Sequence, residues 1–353
     1  LNAAGFSAYL VGGAVRDFLL GRPMKDYDVA TDASPDEVSE IFPDAIEVGK
    51  AFGVTKVPFP VASGGSEIIE IATFREDGEY VDFRHPKSVR FAGPEEDARR
   101  RDFTINGLFY DPKTRRILDC VGGFEDLQAK VVRAIGDPNA RMKEEALRVL
   151  RAVRFAIRFG FRIEEQTWKA LEENARFTRK VSAERIRDEL SSMLRGVRPA
   201  EAVGMLRDLG IASLWLPEIA KVKPAVFEAM DEDPTPRSTA LVFAAALSEV
   251  GGDEPEKSLQ SACDRLRLSG DEKKRVIELV LGLPKFYDAF QMRESTLRRW
   301  VMEPYFDELL QLRRAVSRAQ GGDLMAYRFL RSLREELDEG TFGEKLLTGA
   351  DLV

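Results

Sequence analysis

The amino-acid sequence predicts an α+β protein in which a mixed sheet with helices precedes a long all-helical part. The first 135 residues alternate short β-rich runs with Gly, Pro and Asp punctuation. From about residue 138 onward, apolar residues recur at helical spacing instead. The length of 353 residues exceeds the usual size of one hydrophobic core, so two or three modules are expected.

In the first part, β-rich runs separated by turn residues predict five strands in a mostly antiparallel or mixed sheet. A helix is expected to open near residue 35, because Ser34 can cap it and a proline follows at its first position. The predicted strands are residues 9–11, 26–30, 68–73, 90–91 and 117–120.

In the second part, an apolar stripe predicts an amphipathic helix over residues 144–158. Turns are expected at Gly251-Gly252 and Gly321-Gly322. The stripe consists of Ala146, Val149, Leu150, Val153 and Ile157. Further helices are predicted at about 164–176, 182–195, 199–209, 224–230 and 238–249.

Composition narrows the classes of function. The chain has no run of about 18 apolar residues, which excludes a transmembrane helix, and no signal-peptide pattern, so a cytoplasmic protein is expected. One histidine, His85, is too few for a histidine-based triad or an HD-type phosphohydrolase metal site. Cys120 and Cys263 give neither a metal pattern nor a disulfide framework and are expected to serve packing.

Charge is unevenly distributed along the chain. The net charge of −7 argues weakly against general nucleic-acid binding, yet residues 131–200 hold 16 Lys and Arg against 10 Asp and Glu. A locally basic segment in an acidic protein can contact phosphates. The alternative for this segment is a solvated helical surface.

A phosphate-binding turn is predicted at residues 9–17. Gly12 and Gly13 follow a predicted strand and open a helix, so backbone N–H groups could face a phosphate. Arg16, one turn into that helix, could reach a triphosphate. A pair of glycines by itself more often marks a tight turn, which is the alternative here.

A carboxylate pair follows ten residues after Arg16. On a strand, Asp26 and Asp28 point to the same face, where a divalent cation such as Mg²⁺ relieves their repulsion. A surface turn is the alternative, but a phosphate turn followed by this pair predicts a two-metal nucleotidyl-transfer site. Glu70 is the candidate third carboxylate, and a salt bridge to an arginine such as Arg75 is its alternative.

Five motifs occur in a fixed order along the chain: VGGAVRD, KDYDVAT, IIEIATFR, RRDFTINGLFYDP and EEALRVLRAVRF. Together they resemble the class II tRNA nucleotidyltransferases and bacterial poly(A) polymerases over about residues 9–195. The resemblance implies a polymerase-β-like head over residues 1–136, a base-reading neck over 137–200 and an RNA-binding body and tail over 201–353. It also implies Mg²⁺-dependent transfer of CMP or AMP from CTP or ATP to an RNA 3′-hydroxyl, expected to be that of tRNA, with pyrophosphate released.

The resemblance also implies roles for individual residues of the head. Asp26 and Asp28 would bind the metals. Nucleotide contacts in the head would come from Gly12, Gly13, Arg16, Arg101, Asp102 and Asn106. Of these, Arg101 would contact the triphosphate, and Asp102 and Asn106 would serve the ribose and shape the pocket.

Base selection is expected on the predicted helix at 144–158, whose polar face carries Glu144, Arg148 and Arg151. Cytosine and adenine both present an amino donor beside a ring-nitrogen acceptor, so a carboxylate and an arginine can read both. The resemblance assigns these roles to Glu145 and Arg148, with Arg151 and Arg154 as further nucleotide contacts. Without the resemblance, ordinary ion pairs on a solvated helix face would explain these charges.

Two features bear on which nucleotides are added. Glu145 stands where CCA-adding enzymes usually carry Asp, which leaves the choice between C and A open. The segment at 75–86 resembles the family's flexible loop for switching from CTP to ATP, with a polar hairpin as its alternative. CCA addition to tRNA is therefore the first hypothesis, followed by A-only addition, poly(A) polymerase and a catalytically silent RNA-binding protein.

Overall fold

The computed structural model describes residues 1–24, 27–48, 53–61, 64–78, 80 and 86–338. The chain forms two compact units, Leu1–Val181 and Ser182–Val353. The three-part division at residues 136 and 200 stays a prediction. Asp26 and His85 lie outside the described residues.

Eleven described strands occur, all of them in the first unit. Seven form one sheet in the order β3-β4-β5-β2-β1-β8-β9, and the other four form two separate pairs. In chain order the strands are β1 (Ala8–Val11), β2 (Asp28–Thr31), β3 (Ile46–Glu47), β4 (Val54–Pro60), β5 (Ser66–Thr73), β6 (Arg75–Asp77), β7 (Val89–Phe91), β8 (Leu108–Asp111), β9 (Arg116–Asp119), β10 (Val131–Val132) and β11 (Arg162–Ile163).

The seven-stranded sheet is mixed, as predicted. Strands β2 and β5 run parallel, whereas the other described neighbours in this sheet are antiparallel. All five predicted strands are present with shifted ends, but β3, β4, β6, β8 and β10 were not predicted. The prolines at 58 and 60 concealed β4, because proline argues against a strand. Strand β11 lies in the part predicted to be all-helical.

Seven helices surround the strands of the first unit. The helix predicted near residue 35 is confirmed, and Ser34 caps it through the N–H of Glu37. The helices are α1 (Gly13–Leu19), α2 (Pro35–Ile41), α3 (Pro94–Arg99), α4 (Gly123–Gln128), α5 (Pro138–Glu144), α6 (Arg148–Phe159) and α7 (Glu165–Asn174). Short 3-10 turns cover Asn2–Ala4, Thr104–Asn106 and Ala175–Lys180.

The described part of the second unit is helical, as predicted. Its helix α12 is buried on every side from Ala240 to Ala246. Positive φ angles at Gly252 and Gly321 confirm the two predicted turns. The helices are α8 (Ala183–Arg195), α9 (Pro199–Asp208), α10 (Ile211–Trp215), α11 (Pro224–Asp231), α12 (Thr239–Ala246), α13 (Pro255–Arg265), α14 (Gly270–Gly282), α15 (Lys285–Asp288), α16 (Glu294–Val301), α17 (Phe306–Gln320) and α18 (Met325–Asp338).

The prediction of one helix over residues 144–158 is wrong. Helix α5 ends at Glu144, Glu145 adopts an extended backbone with φ −141°, and α6 begins only at Arg148. The five stripe residues are nevertheless all buried. Of the described helices, none is long and apolar enough to cross a lipid bilayer.

Candidate active site

The glycine turn lies where β1 ends and α1 begins. Gly12 has φ 65° and ψ −128°, a backbone conformation that residues with a Cβ rarely adopt. A Cβ at Gly12 would lie 3.0 Å from an Arg101 guanidinium nitrogen, so the structure places Arg101 against the turn. Arg101 is held by a 2.9 Å ion pair with the buried Asp97 and lies 5.1 Å from the ring centroid of Phe109.

Carboxylates lie on the strands beside this turn. Leu10 of β1 pairs with Val29 of β2, which brings Asp28 next to the end of β1. Asp28 in turn pairs in register with Glu70 of the parallel strand β5, and cross-strand partners project from the same face of a sheet. The structure therefore brings Asp28 and Glu70 together on neighbouring strands.

Glu70 has a salt-bridge partner, but it is not Arg75. Nζ of Lys56 lies 2.9 Å from Oε1 of Glu70, and 48% of the Glu70 side chain is exposed. Exposure and pairing together remove the cost that a buried, unpaired carboxylate would carry. Glu70 therefore does not need a metal ion to be stable at this position.

The fit to a divalent cation rests on the chemistry of these donors. Asp28 and Glu70 supply hard carboxylate oxygens, which Mg²⁺ and similar ions prefer. Within the described residues, no group of three or more His, Cys, Asp or Glu side chains gathers as a metal site. Asp26 lies outside that part of the chain, so its predicted contribution stays a prediction.

Arg16 is buried at the start of a hydrogen-bonded chain. Only 4% of the residue is exposed. Its Nε and one terminal nitrogen donate to Oδ1 of Asp17 at 2.9 and 2.7 Å, and the other terminal nitrogen donates to Oδ1 of Asn106 at 2.5 Å. Burial lowers the pKa of Arg16 despite the charge of Asp17. Arg16 thus joins the glycine turn to the RRDFTIN segment.

Asp102 continues this chain to helix α6. Its Oδ1 accepts from the backbone N–H of Phe103 at 2.8 Å and from Asn106 at 2.9 Å, while its Oδ2 accepts twice from Arg151, at 2.9 and 2.6 Å. A carboxylate offers about four acceptor positions, so all are occupied. The predicted ribose contact of Asp102 would require one of these bonds to be given up.

The environment of Asp102 favours its charged form. Burial by itself would raise the pKa of this carboxyl, but the charge and hydrogen bonds of Arg151, with the hydrogen bond from Asn106, lower the pKa to about 2. Asp102 is therefore a fully ionised link between the RRDFTIN segment and α6 at neutral pH.

The two predicted base-reading residues lie together at the break between α5 and α6. Arg148 is 5% exposed and donates to Oε2 of Glu144 at 2.6 Å and to two backbone carbonyls, those of Arg141 and Arg100. Within the described residues its buried Nε has no hydrogen-bond partner, and it lies 4.0 Å from Oε2 of Glu145. A guanidinium donor and a carboxylate acceptor thus lie side by side.

The remaining arginines of α6 stack on aromatic rings. Arg154 lies 4.5 Å and Arg151 lies 5.3 Å from the ring centroid of Phe155.

Two residues that hold the predicted arginines in place were not predicted from the sequence. Asp97 holds both Arg100 and Arg101, and its spacing of four residues from Arg101 on a helix was the available signal. Asp17 pairs with Arg16, and the only signal for it in the sequence was its place at the end of the motif VGGAVRD.

The segment at 75–86, predicted as a flexible loop, begins with strand β6, whose partner β7 follows the segment. Strand β6 pairs with β7 antiparallel, and Tyr80 donates to Oδ2 of Asp77 at 2.7 Å. Residues 79 and 81–85 lie outside the described part of the chain. A role in switching between nucleotides stays a prediction.

A mixed sheet with a glycine turn and adjoining carboxylates, followed by helices, defines the class of polymerase-β-like nucleotidyltransferases. A family model described as the Poly A polymerase head domain matches residues 8–133. A second, described as a probable RNA and SrmB-binding site of polymerase A, matches residues 160–223.

The individual relatives that the chain resembles are CCA-adding enzymes. The chain is 45% identical over 222 residues to a CCA-adding enzyme of Geobacillus thermodenitrificans, covering 63% of this chain and 53% of the relative. It is 33% identical over 360 residues to a CCA-adding enzyme of Streptococcus mutans, covering 100% of this chain and 84% of that one. A crystal structure of the Bacillus stearothermophilus CCA-adding enzyme with CTP is similar at TM-score 0.67 and 28% identity, covering 100% of this chain and 84% of that one.

The chain belongs to the family of CCA-adding enzymes and bacterial poly(A) polymerases. Its match spans about half the length of the Geobacillus thermodenitrificans relative.

Proposed function

We propose that this protein is a template-independent nucleotidyltransferase that adds CMP and AMP from CTP and ATP to the 3′ end of tRNA. Three kinds of support converge. The curated relatives are named CCA-adding enzymes. The similar structure at 28% identity is a complex with CTP. The observation that carries the proposal is Nε of Arg148, which has no hydrogen-bond partner among the described residues and lies beside the carboxylate of Glu145.

This donor and acceptor fit the pairing edge shared by cytosine and adenine. Glu145 accepts from the exocyclic amino group, and Arg148 donates to the ring nitrogen. Guanine and uracil present the inverse pattern, which would leave both protein groups unpaired at a cost of about 1–3 kcal/mol each. No template strand is required for this choice, because the protein supplies the pairing partner.

The head positions the phosphates and the reacting atoms. Arg101 lies against the glycine turn and can contact the triphosphate, while Arg16 holds the helix behind the turn. The family uses divalent metal ions, and we propose that Mg²⁺ is held here by Asp26 and Asp28, with Glu70 beside them. When bound, the metal stabilises charge on the phosphates and on the attacking 3′-hydroxyl oxygen.

Poly(A) polymerase activity is the second candidate, because the family model of the head domain, which matches residues 8–133, is named for that enzyme. The two candidates differ in what they do with a tRNA. A CCA-adding enzyme stops after three defined nucleotides, whereas a poly(A) polymerase continues with AMP and does not require the tRNA fold.

Incorporation on defined tRNA transcripts tests the proposal. Transcripts lacking CCA, or ending in C or CC, are incubated with CTP or ATP alone in the presence of Mg²⁺. CCA addition predicts that CTP extends the first two transcripts and ATP extends only the one ending in CC. Extension of the CC transcript by ATP, with no extension of any transcript by CTP, would indicate A-only addition, and long A tails would indicate poly(A) polymerase. Absence of any incorporation would refute the enzyme assignment.

A further inference from the structure

Three arginines lie around one aromatic ring in the first unit. The guanidinium carbons of Arg16, Arg22 and Arg158 lie 4.5, 5.0 and 5.1 Å from the ring centroid of Phe159. The face of an aromatic ring attracts cations, which explains why each group approaches it. It does not explain why three like charges gather at a single ring, because they repel one another.

The local sequence delivers Arg22 to this ring. Gly21, with φ 65°, reverses the chain after α1, and the backbone N–H of Arg22 then donates to the carbonyl of Asp17 at 2.8 Å. Arg158 reaches the ring from the last turn of α6. Two separate elements of the first unit therefore build this cluster.

The cluster carries more positive charge than its neighbours neutralise. In the described part of the chain, Asp17 is the one carboxylate that pairs with these arginines, at 2.7 Å from Arg16 and 3.3 Å from Arg158. Arg22 is exposed, and among the described residues its guanidinium contacts only the Phe159 ring. Arg22 and the outer part of Arg158 thus offer several N–H donors to solvent.

We infer that Arg22 and Arg158, stacked on Phe159, form a binding site for a phosphodiester group of the RNA substrate. Guanidinium groups match phosphate oxygens in charge and in planar geometry, and stacking on a ring fixes their orientation. This inference rests on the proposed function, which makes RNA the substrate, and it adds a contact outside the residues assigned to the nucleotide.

Arg16 connects the cluster to the glycine turn, whereas Arg22 belongs to the other end of α1. A Cβ at Gly13 would lie 3.4 Å from a terminal nitrogen of Arg16, and Arg22 follows a seven-residue helix that is about 10 Å long. Of the three arginines, Arg16 is therefore the one at the turn. The RNA strand whose 3′ end reacts at the turn extends beyond the site and carries a phosphate at every nucleotide.

The test compares Arg22→Gln with Arg116→Gln in the full chain. Arg116 is an exposed arginine on the outer strand β9 of the same unit, so both variants lose one surface charge. Direct binding of a tRNA transcript ending in CC is measured at several salt concentrations, and KM for ATP is measured at saturating tRNA. Arg22→Lys is added because it keeps the charge but loses the planar group.

For Arg22→Gln we expect the Kd for tRNA to rise about 5–10-fold. The slope of log Kd against log salt should fall by about 0.7–0.9, the value for one lost phosphate contact, while KM for ATP stays unchanged. Arg22→Lys should retain the slope. The inference is overturned if Arg22→Gln binds tRNA with the affinity and slope of Arg116→Gln, or if KM for ATP rises in place of the Kd for tRNA. Wild-type protein that binds tRNA through Arg22 but adds no nucleotide would instead refute the proposed function.

Discussion

Replacing Asp102 by Asn removes the charge from the buried link between the RRDFTIN segment and α6. The side chain keeps nearly the same shape, and its oxygen can still accept hydrogen bonds. What is lost is the ionic partner of Arg151, which now contacts Oδ2 at 2.6 and 2.9 Å. The variant therefore resembles the wild-type protein with Asp102 protonated.

The expected loss of stability follows from the pKa of this carboxyl. The fold lowers it from 3.8 to about 2, and each unit corresponds to about 1.4 kcal/mol, so ionised Asp102 contributes about 2 kcal/mol to the free energy of unfolding at pH 7. Because the folded pKa lies below the unfolded one, this contribution is present above pH 4 and is lost as the pH falls toward 2. It should amount to about 1 kcal/mol at pH 3 and to well under 1 kcal/mol at pH 2.

Hydrogen exchange of the α6 amides measures this contribution within the first unit. Wild type, Asp102→Asn and the control Asp119→Asn are compared between pH 7 and pH 2, with correction for intrinsic exchange rates. The carboxylate of Asp119 accepts from three backbone N–H groups, which makes it a control for exchanging Asp for Asn without an arginine partner. A difference at pH 7 below about 0.5 kcal/mol, or one that persists unchanged at pH 2, would refute the role assigned to the Asp102–Arg151 pair.

Three further variants test the site. Gly12→Ala should destabilise the protein by about 1–3 kcal/mol, because the φ angle at this position is positive and a Cβ would press on Arg101. The KM for both nucleotides should rise as well. An unchanged melting temperature and an unchanged KM would contradict this prediction. Glu145→Ala should weaken discrimination against UTP and GTP by about 1–3 kcal/mol in competition assays, and equal discrimination in both proteins would exclude its base-reading role. Asp26→Ala should abolish incorporation while tRNA binding persists, and near-wild-type turnover would show that the metal assignment is wrong.

Much of the fold could be predicted because its signals are local. The capped start of α2 and the alternating strands β1, β2 and β5 depend on residues close together in the chain. The sequence motifs likewise identified segments that the structure places together, such as the glycine turn and Arg101. Strand β4 was missed because its two prolines oppose a local strand pattern, although long-range pairing with β5 accommodates them.

The break at Glu145 shows why the rest could not be predicted. Met142, Ala146, Val149 and Val153 keep helical spacing through the break, and all are buried, so periodicity continues where the helix does not. The partners of Asp102 were equally hidden, since Arg151 lies 49 positions away in the chain. Burial and pairing across such separations depend on the tertiary fold.

The break also bears on the longer side chain at position 145. On one continuous helix, Glu145 would flank the polar face formed by Glu144 and Arg148, and its side-chain direction would be fixed by the helix. In the structure Glu145 stands on an extended residue between two helices, and its Oε2 lies 4.0 Å from Nε of Arg148. The side chain of an extended residue does not have the fixed direction that a helix imposes. A change in that direction can therefore compensate for the additional methylene of Glu relative to Asp. The Glu at this position is therefore compatible with reading both cytosine and adenine, and the nucleotide competition of Glu145→Ala tests that reading directly.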